Sequence, residues 1–248
     1  MNIDLNKTST LPPDSLQKAA IKKKTATIIK KLSDLQNLLY AEKKHSVLII
    51  LQGMDASGKD GVLKNIFSHF NPRNIQLHSF DVPTKEEAAH DFLWRAHRHT
   101  PAKGMIQIFN RSYYEDVLVT RVHKQCSDAK AKQRMQAINN FEQLLAEDNH
   151  TQILKFYLHV SKKQQEKRMQ ERIDNASKHW KYDEKDYKEI ALHDEYAKMY
   201  EDVFKHCNAI PWIIVPADKN WYKEYLIAQT LVELLDSLDM KYPPLKME

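Results

Sequence analysis

Five short apolar segments alternate with helical stretches, and this alternation constrains the fold more than any other feature of the sequence. The segments are residues 45–52, 74–80, 105–110, 151–160 and 211–215. Strands that are apolar throughout are buried on both faces, which is typical of parallel sheets. When such strands are joined by helices, the sheet lies between two helical layers. We therefore predict a three-layer α/β domain with a parallel five-stranded sheet flanked by helices.

The segments between the strands carry helical patterns. We expect helices over residues 14–43, 59–68, 85–99, 115–121, 129–147, 161–175, 184–205 and 220–238. In the first of these, Ile28, Leu32, Leu35 and Leu39 form one apolar stripe at helical spacing. The stripe either packs on the core or forms a subunit interface. We expect an arm and helix over 1–44 packed on the core, a main domain over 45–240 and a tail over 241–248.

Composition excludes several classes of protein. The chain has 248 residues, of which 42% are hydrophobic and 29% charged, so it can bury a core and is not disordered. Its longest purely apolar run, from Val47 to Leu51, is far shorter than the ~20 residues of a membrane span. The start of the chain lacks an apolar signal core. Cys126 and Cys207 show no metal or disulfide spacing, so we expect a cytoplasmic protein.

Glycine is concentrated in one loop. The chain has four glycines, against about 17 from average usage, and three of them fall within nine residues after the first strand. Gly53 and Gly58-Lys59 match the pattern G-x-x-x-x-G-K. In such a P-loop, backbone N–H groups and a helix N-terminus surround phosphate oxygens, and the lysine reaches the terminal phosphates. The alternative is a tight turn without a ligand. The expected phosphate-binding residues are Gly53, Ala56, Ser57, Gly58 and Gly61.

The loop departs from a standard P-loop in one position. Asp60 follows Lys59, where Ser or Thr commonly holds Mg²⁺. Asp60 and Asp55 are carboxylates that can bind Mg²⁺, and both would repel phosphates unless a cation lay between them. We therefore predict a metal-dependent phosphoryl-transfer site that uses Mg²⁺, with Mn²⁺ as an alternative. For Asp55, the alternative to metal binding is that it only stabilises the turn.

Polar side chains follow the third strand. Asn110 and Arg111 stand at its carboxyl end, where ligands bind in parallel α/β sheets, so both are expected to face the phosphates. Glu115 and Asp116 begin the next helical segment. Carboxylates at the start of a helix are stabilised by the helix dipole. For these two residues, stabilisation of the helix start is therefore the alternative to a role in the site.

Basic residues are clustered although the net charge is only +5. Residues 121–134 contain six basic side chains and one acid, residues 161–181 contain seven Lys or Arg and three acids, and residues 18–31 contain six Lys and no acid. Phosphoryl transfer uses positive groups around the transferred oxygens, often from a mobile lid. Several such clusters favour a long polyanionic substrate, whereas any single one could be a solvated face.

Together, these motifs resemble the polyphosphate kinase 2 family. The blocks that carry the resemblance are residues 53–61, 82–87, 90–95, 109–119, 121–123, 171–175, 178–181 and 216–218. They occur in order between about Lys43 and Tyr225. The resemblance implies a P-loop kinase fold with a helical lid at about 112–135. It also implies reversible, Mg²⁺-dependent phosphoryl transfer from inorganic polyphosphate to a purine nucleotide.

The resemblance also assigns roles to residues. Lys59 and Arg111 would grip the transferred phosphate, Asp55 and Asp60 would surround Mg²⁺, and Arg121 would act from the lid. Nucleotide contacts would come from Arg95, Asn110 and Glu115. The expected polyphosphate track comprises Lys64, Lys124, Lys130, Arg134, Arg168, Arg172 and Lys181.

The expected acceptors are AMP and ADP, with GMP and GDP as further candidates. Asn110 and Glu115 resemble the class that phosphorylates both mono- and diphosphates, whereas the diphosphate-only class carries Asp and Asn there. Asp81, Ala176 and Asn220 depart from the Lys, Pro and Lys expected for the family. The family implies a homo-oligomer, a dimer or tetramer, with no nucleic acid or membrane partner. Two alternatives remain: an ATP-dependent nucleoside monophosphate kinase and a non-catalytic polyanion-binding module.

Overall fold

The strands form the parallel sheet that the sequence predicts. The computed structural model describes residues 3–245, and within them the sheet has five strands. The strands are β1 (Ser46–Gln52), β2 (Ile75–Ser79), β3 (Ile106–Asn110), β4 (Thr151–His159) and β5 (Trp212–Pro216), in the order β2-β3-β1-β4-β5. Every strand end lies within one residue of its predicted position. The predicted fold class is confirmed.

β1 lies at the centre of the sheet and is buried along its whole length. It pairs with β3 on one side and β4 on the other, so that Leu51 is aligned with Asn110 and with Phe156. Because all strands are parallel, their carboxyl ends meet at one edge. The P-loop that follows β1 therefore lies beside the segment that follows β3.

Helices cover both faces of the sheet. In residues 3–245 they are α1 (Lys18–Glu42), α2 (Lys59–Asn65), α3 (Lys85–Ala89), α4 (Trp94–His97), α5 (Val119–Val122), α6 (Asp128–Asp148), α7 (Lys162–Asp174), α8 (Glu184–Ala191), α9 (His193–His206) and α10 (Asn220–Ser237). α10 packs against α1 and α2, whereas α6 packs against α9. Right-handed crossovers place α2 and α6 on opposite faces, because the chain moves in opposite directions from β1 to β2 and from β3 to β4.

Three predicted helices differ from the structure. The predicted helix over 85–99 is interrupted because His90 is extended (φ −104°, ψ 177°), which separates α3 from α4. The predicted helix over 184–205 divides at Leu192, whose ψ of 15° interrupts the α-helical geometry. The segment after Arg111 begins as a 3₁₀ turn, Tyr113–Val117, before α5. In each case a local turn, which apolar spacing does not reveal, interrupts the helix.

The apolar stripe of α1 lies in the core. Ile28, Leu32 and Leu39 are buried there, and α1 packs along α10. The N-terminal arm joins the same core through Leu5, whose backbone N–H donates to Glu201 Oε1 at 2.8 Å. Residues 1–2 of the predicted arm and 246–248 of the predicted tail lie outside the described residues. Among residues 3–245, no helix is both long and apolar enough to cross a membrane.

Candidate functional site

Two glycines set the shape of the P-loop between β1 and α2. Gly58 has φ of 93°, in the left-handed region, and a Cβ there would lie 2.2 Å from Lys223 Nζ. A Cβ at Gly53 would lie 2.8 Å from Ser57 Oγ. By contrast, a Cβ at Gly61, which lies within α2, would meet no atom within 4 Å apart from its chain neighbours and the backbone of its own helix. The close contacts at Gly53 and Gly58, together with the positive φ of Gly58, therefore favour glycine at these two positions but not at Gly61.

Lys59 is held inside the loop. Its ammonium donates to Gly53 O at 2.6 Å and to Met54 O at 3.4 Å, and the residue is 9% exposed. Burial, helped by the charge of Arg111, lowers the pKa of Lys59 to about 8. A cation of this kind gains much from a bound phosphate, because an anion replaces the carbonyl dipoles as its partner.

Arg111 meets Asp55 across the edge of the sheet. Its Nη2 donates to Asp55 Oδ1 at 2.7 Å, and its backbone N–H donates to Leu51 O at 3.0 Å. Its φ of 61° turns the chain sharply after β3. Burial acts to lower the pKa of Arg111, but Asp55 and Glu115 outweigh it and raise the pKa. The guanidinium is thus a permanent positive charge beside the loop.

Glu115 lies partly buried behind Arg111. Burial raises its pKa, and the charges of Arg111 and Lys59 oppose that rise. The side-chain amide of Gln52 makes its best hydrogen bonds in one orientation. In it, the nitrogen donates to Glu115 Oε1 at 3.0 Å and the oxygen accepts from Ser112 Oγ at 3.0 Å. β1 therefore positions the segment that follows Arg111.

A cavity of about 680 Å³ opens over the P-loop. Twelve of the sequence-predicted site residues line it: Asp55, Ala56, Ser57, Gly58, Lys59, Asp60, Gly61, Asn110, Arg111, Arg168, Arg172 and Lys181. The fold thus brings these twelve residues together around one cavity. Lys178, Glu171, Asp186, Ser79, Phe80, Asp81 and Asn220 complete the lining.

Ion pairs connect the acidic and basic side chains of this cavity. Besides the Arg111–Asp55 pair, they are Lys181–Asp60 at 2.8 Å, Arg172–Asp186 at 2.6 Å and Lys178–Glu171 at 3.3 Å. The hydrogen bond from Lys181 lowers the pKa of Asp60. Asp60 is 64% exposed, so this pair is open to solvent and to exchange of partners.

Two predicted arginines face inward instead of lining the cavity. Arg95, predicted to contact the nucleotide, is 5% exposed and donates to Asp81 O at 2.8 Å and Asp116 Oδ2 at 3.2 Å. It therefore supports the wall behind Asp81. Arg121, predicted to act from a lid, donates to Asp128 Oδ1 and Asp202 Oδ2, each at 2.8 Å. Contact with a phosphate would require these bonds to exchange.

Other predicted residues of the polyphosphate track lie apart from the cavity. Lys64, Lys124 and Lys130 are exposed. Arg134 donates to Asp116 O at 2.8 Å and, with Lys130, lines a separate cavity beside Phe92. Arg168 does reach the main cavity, but its guanidinium donates to Ala56 O at 2.7 Å and Ala217 O at 2.7 Å. These residues do not form one continuous track in the described part of the chain.

The structure adds two residues that sequence reasoning missed. Lys223 of α10 is fully buried beneath the P-loop, and Gln165 of α7 donates to Asp55 O at 2.7 Å. A signal for the lysine was present, because Lys223 stands four residues before the buried Ile227 and therefore on the apolar face of α10. No comparable signal marks Gln165 in a helix rich in polar residues.

The carboxylates of the cavity fit a cation that is bound together with phosphates. Within residues 3–245, no cluster of three or more His, Cys, Asp or Glu side chains could hold a metal without a substrate. Mg²⁺ commonly uses only one or two carboxylates, with substrate phosphates and water completing its shell. Asp55 and Asp60 line the same cavity and each has only one oxygen engaged by a cation. This donor set suits such a shared site.

A parallel sheet with a P-loop after its central strand, beside an arginine from the neighbouring strand, defines the P-loop kinase-like class. The family model of polyphosphate kinase 2 matches residues 15–243. This chain belongs to the polyphosphate kinase 2 family, as the sequence blocks predicted.

Individual relatives agree with this assignment. An AMP/ADP-polyphosphate phosphotransferase of Meiothermus ruber is 46% identical over 220 residues, covering 88% of this chain and 82% of the relative. An ADP-polyphosphate phosphotransferase of Rhodopseudomonas palustris is 42% identical over 231 residues, covering 88% and 80%. The crystal structure of polyphosphate kinase 2 from Arthrobacter aurescens matches with a TM-score of 0.96 and 37% identity, covering 99% of this chain and 89% of that one.

Proposed function

We propose that this protein is an enzyme that transfers a phosphoryl group from inorganic polyphosphate to AMP and ADP. The observation that carries the proposal is the meeting of the P-loop with six basic side chains on one cavity. They are Lys59, Arg111, Arg168, Arg172, Lys178 and Lys181. The names of the two relatives support polyphosphate as the donor and adenine nucleotides as acceptors.

Binding of the polyanion would rearrange the ion pairs of the cavity. Phosphate oxygens attract Arg111 and Lys181, which now pair with Asp55 and Asp60. The released carboxylates then suit a divalent cation, and we propose Mg²⁺, with Mn²⁺ as an alternative. When bound, this cation would neutralise phosphate charge during transfer. Asp60 therefore takes the place that a hydroxyl residue holds in a standard P-loop.

Catalysis in this arrangement is positioning and charge stabilisation. Lys59, at the N-terminus of α2, and Arg111, from the end of β3, approach the transferred group from two elements. The P-loop N–H groups add fixed dipoles. Phosphoryl transfer passes through a loose transition state, so such a fixed positive environment supplies most of the rate enhancement.

Glu115 is proposed to influence the choice of acceptor. Its carboxylate lies near Arg111 and Lys59, which both lower its pKa against the effect of burial. An AMP acceptor carries less negative charge than ADP, so a carboxylate at this position penalises ADP more. The change Glu115→Asn is therefore expected to shift the ratio of kcat/KM towards ADP. An unchanged ratio would remove Glu115 from acceptor choice.

The donor is tested by incubating the protein with AMP, polyphosphate and Mg²⁺ without ATP, and separating the products. We expect ADP and then ATP. Product formation that requires ATP would instead support a nucleoside monophosphate kinase. Polyphosphate binding without turnover would support a non-catalytic polyanion-binding module.

A matched pair of variants links the activity to this cavity. Lys59→Met removes the buried ammonium of the P-loop, whereas Lys64→Met alters an exposed lysine of the same helix outside the cavity. We expect loss of at least a hundredfold in kcat/KM for the first, since it removes a charged partner of the transferred phosphate. The second has a much smaller effect. Equal activities of the two variants would contradict the proposed site.

A further inference from the structure

A fully buried ammonium, that of Lys223, contacts the backbone of the P-loop. Lys223 Nζ donates to Gly58 O at 3.0 Å, Ser57 O at 3.2 Å and Asn220 Oδ1 at 3.1 Å. These three acceptors match the three donors of an ammonium group, and all are uncharged. Lysine is almost never fully buried without a charged partner, so this arrangement calls for a functional explanation.

Arg168 continues the same contact along the loop. Its Nη1 donates to Ala56 O at 2.7 Å and Ser57 O at 3.0 Å, and its Nη2 donates to Asn220 Oδ1 at 3.1 Å. Two cations from outside the loop thus bind three successive carbonyl groups. Ala56 and Gly58 have positive φ, 57° and 93°, so the chain here turns as in an anion nest, and the bonds to the three carbonyls fix that turn.

The ammonium of Lys223 occupies the space beside Gly58 that a side chain would need. A Cβ at Gly58 would lie 2.2 Å from Lys223 Nζ, closer than any atom can approach without displacement. Glycine at this position therefore does more than permit a positive φ, because it leaves the space that the ammonium fills. Gly58 and Lys223 therefore act together in shaping the P-loop.

We propose that Lys223 is a positioning residue of the P-loop, which holds the loop carbonyls away from the phosphate cradle and adds positive charge behind it. The inference rests on the proposed binding of polyphosphate at this cavity. Lys223 does not touch the reacting atoms, and it acts through the backbone of Ser57 and Gly58.

A proton linkage distinguishes this role from simple packing. Burial, together with Arg168 of α7 and Lys59 of α2, lowers the pKa of Lys223 to about 7, while Glu224 of α10 opposes the shift. Bound polyphosphate brings negative charge close to the loop and raises that pKa. The complex then binds more protons than the free protein near neutral pH. A rise of about one pKa unit corresponds to about tenfold in affinity and to roughly half a proton taken up at pH 7.5.

The test is isothermal titration with tripolyphosphate in buffers of different ionisation enthalpy. Lys223→Met keeps the length of the side chain and removes its charge, and Lys219→Met alters an exposed lysine one turn earlier as a control. We expect Lys223→Met to bind about tenfold more weakly at pH 6 and to take up roughly half a proton less at pH 7.5. Lys219→Met should match the wild type. A purely structural lysine would leave proton uptake unchanged.

A measurement on the wild-type protein covers the case in which the variant does not fold. NMR of ¹³Cε-labelled lysines should show one side chain that titrates near pH 7 and moves to higher pH with tripolyphosphate. Absence of such a lysine, or equal proton uptake by wild type and Lys223→Met, would overturn the role of Lys223 alone. If tripolyphosphate did not bind the wild type, the proposed phosphate site and this inference would both fail.

Discussion

Replacing Lys155 by methionine is expected to destabilise the protein by about 3–5 kcal/mol, because the carboxylate of Glu142 then stays buried without its cation. Both side chains are 0% exposed, and their charged atoms are 2.7 Å apart. Lys155 Nζ also donates to Tyr114 OH at 2.8 Å and to Cys207 O at 3.1 Å. Every donor of this ammonium is therefore used in a region closed to water.

The cost comes from the charge that remains rather than from lost volume. Methionine replaces the aliphatic part of the lysine, so the cavity term is small. Tyr113 OH and Tyr114 OH still donate to Glu142 Oε1, at 2.9 Å and 2.7 Å, and this limits the penalty. For a chain of 248 residues, about 2–4 °C in Tm per kcal/mol gives an expected loss of roughly 6–20 °C.

A second substitution tests this reasoning. In Lys155→Met combined with Glu142→Gln, the buried charge is gone and the amide oxygen can still accept from the tyrosines. We expect the double variant to regain about 1–3 kcal/mol over Lys155→Met alone, measured by urea unfolding. A double variant as unstable as the sum of the single variants would show that the pair is not an energetic unit.

The same network bears on activity. Tyr113 and Tyr114 follow Arg111 by two and three residues, and Glu142 fixes both hydroxyls. Loosening this anchor is expected to displace Arg111, so kcat should fall in Lys155→Met even at temperatures at which the protein remains folded.

Three further predictions concern the P-loop. Gly58→Ala places a Cβ 2.2 Å from Lys223 Nζ at a φ of 93° and should abolish measurable tripolyphosphate binding. The control, Gly61→Ala, should have a much smaller effect. Similar affinities of the two variants would contradict the steric argument. Asp60→Asn should lower kcat at least tenfold with little change in Tm, since Asp60 is 64% exposed, and wild-type kcat would remove its proposed metal role. Because the ammonium form of Lys59 binds phosphate and its pKa is about 8, kcat/KM for polyphosphate should fall as pH rises through 8; a profile flat to pH 9.5 would contradict this.

The sequence predicted the centre of the sheet well because β1 is an apolar run that is buried along its whole length. Val47 to Leu51 are fully buried, and so short a run, rich in β-branched residues and followed by glycine, is typical of a central parallel strand. The helix interruptions at His90 and Leu192 were missed because they depend on local turns. The spacing of apolar residues continues across such turns and therefore does not reveal them.

The sequence predicted the position of the site residues where a motif fixes the backbone. It predicted less well the direction in which long side chains extend. Lys59, Asp60 and Arg111 line the cavity because the P-loop and the end of β3 must meet at one edge. Arg95 and Arg121 instead bind carboxylates that are distant in sequence. Arg95 donates to Asp116 and Arg121 to Asp202, and no local sequence pattern predicts such partners. Buried cations can be suspected only from their position within an apolar face, as for Lys223.

The central claim is direct transfer from polyphosphate to a nucleotide at the P-loop cavity. It is tested most directly by ³¹P NMR of one sample that contains the protein, AMP, polyphosphate and Mg²⁺, and no ATP. The account predicts that the β-phosphate signal of ADP grows as polyphosphate is consumed, with one phosphoryl group used for each ADP and two for each ATP formed from AMP, and that Lys59→Met abolishes both changes. Consumption of polyphosphate into inorganic phosphate alone, or an unchanged spectrum with wild-type protein, would contradict it.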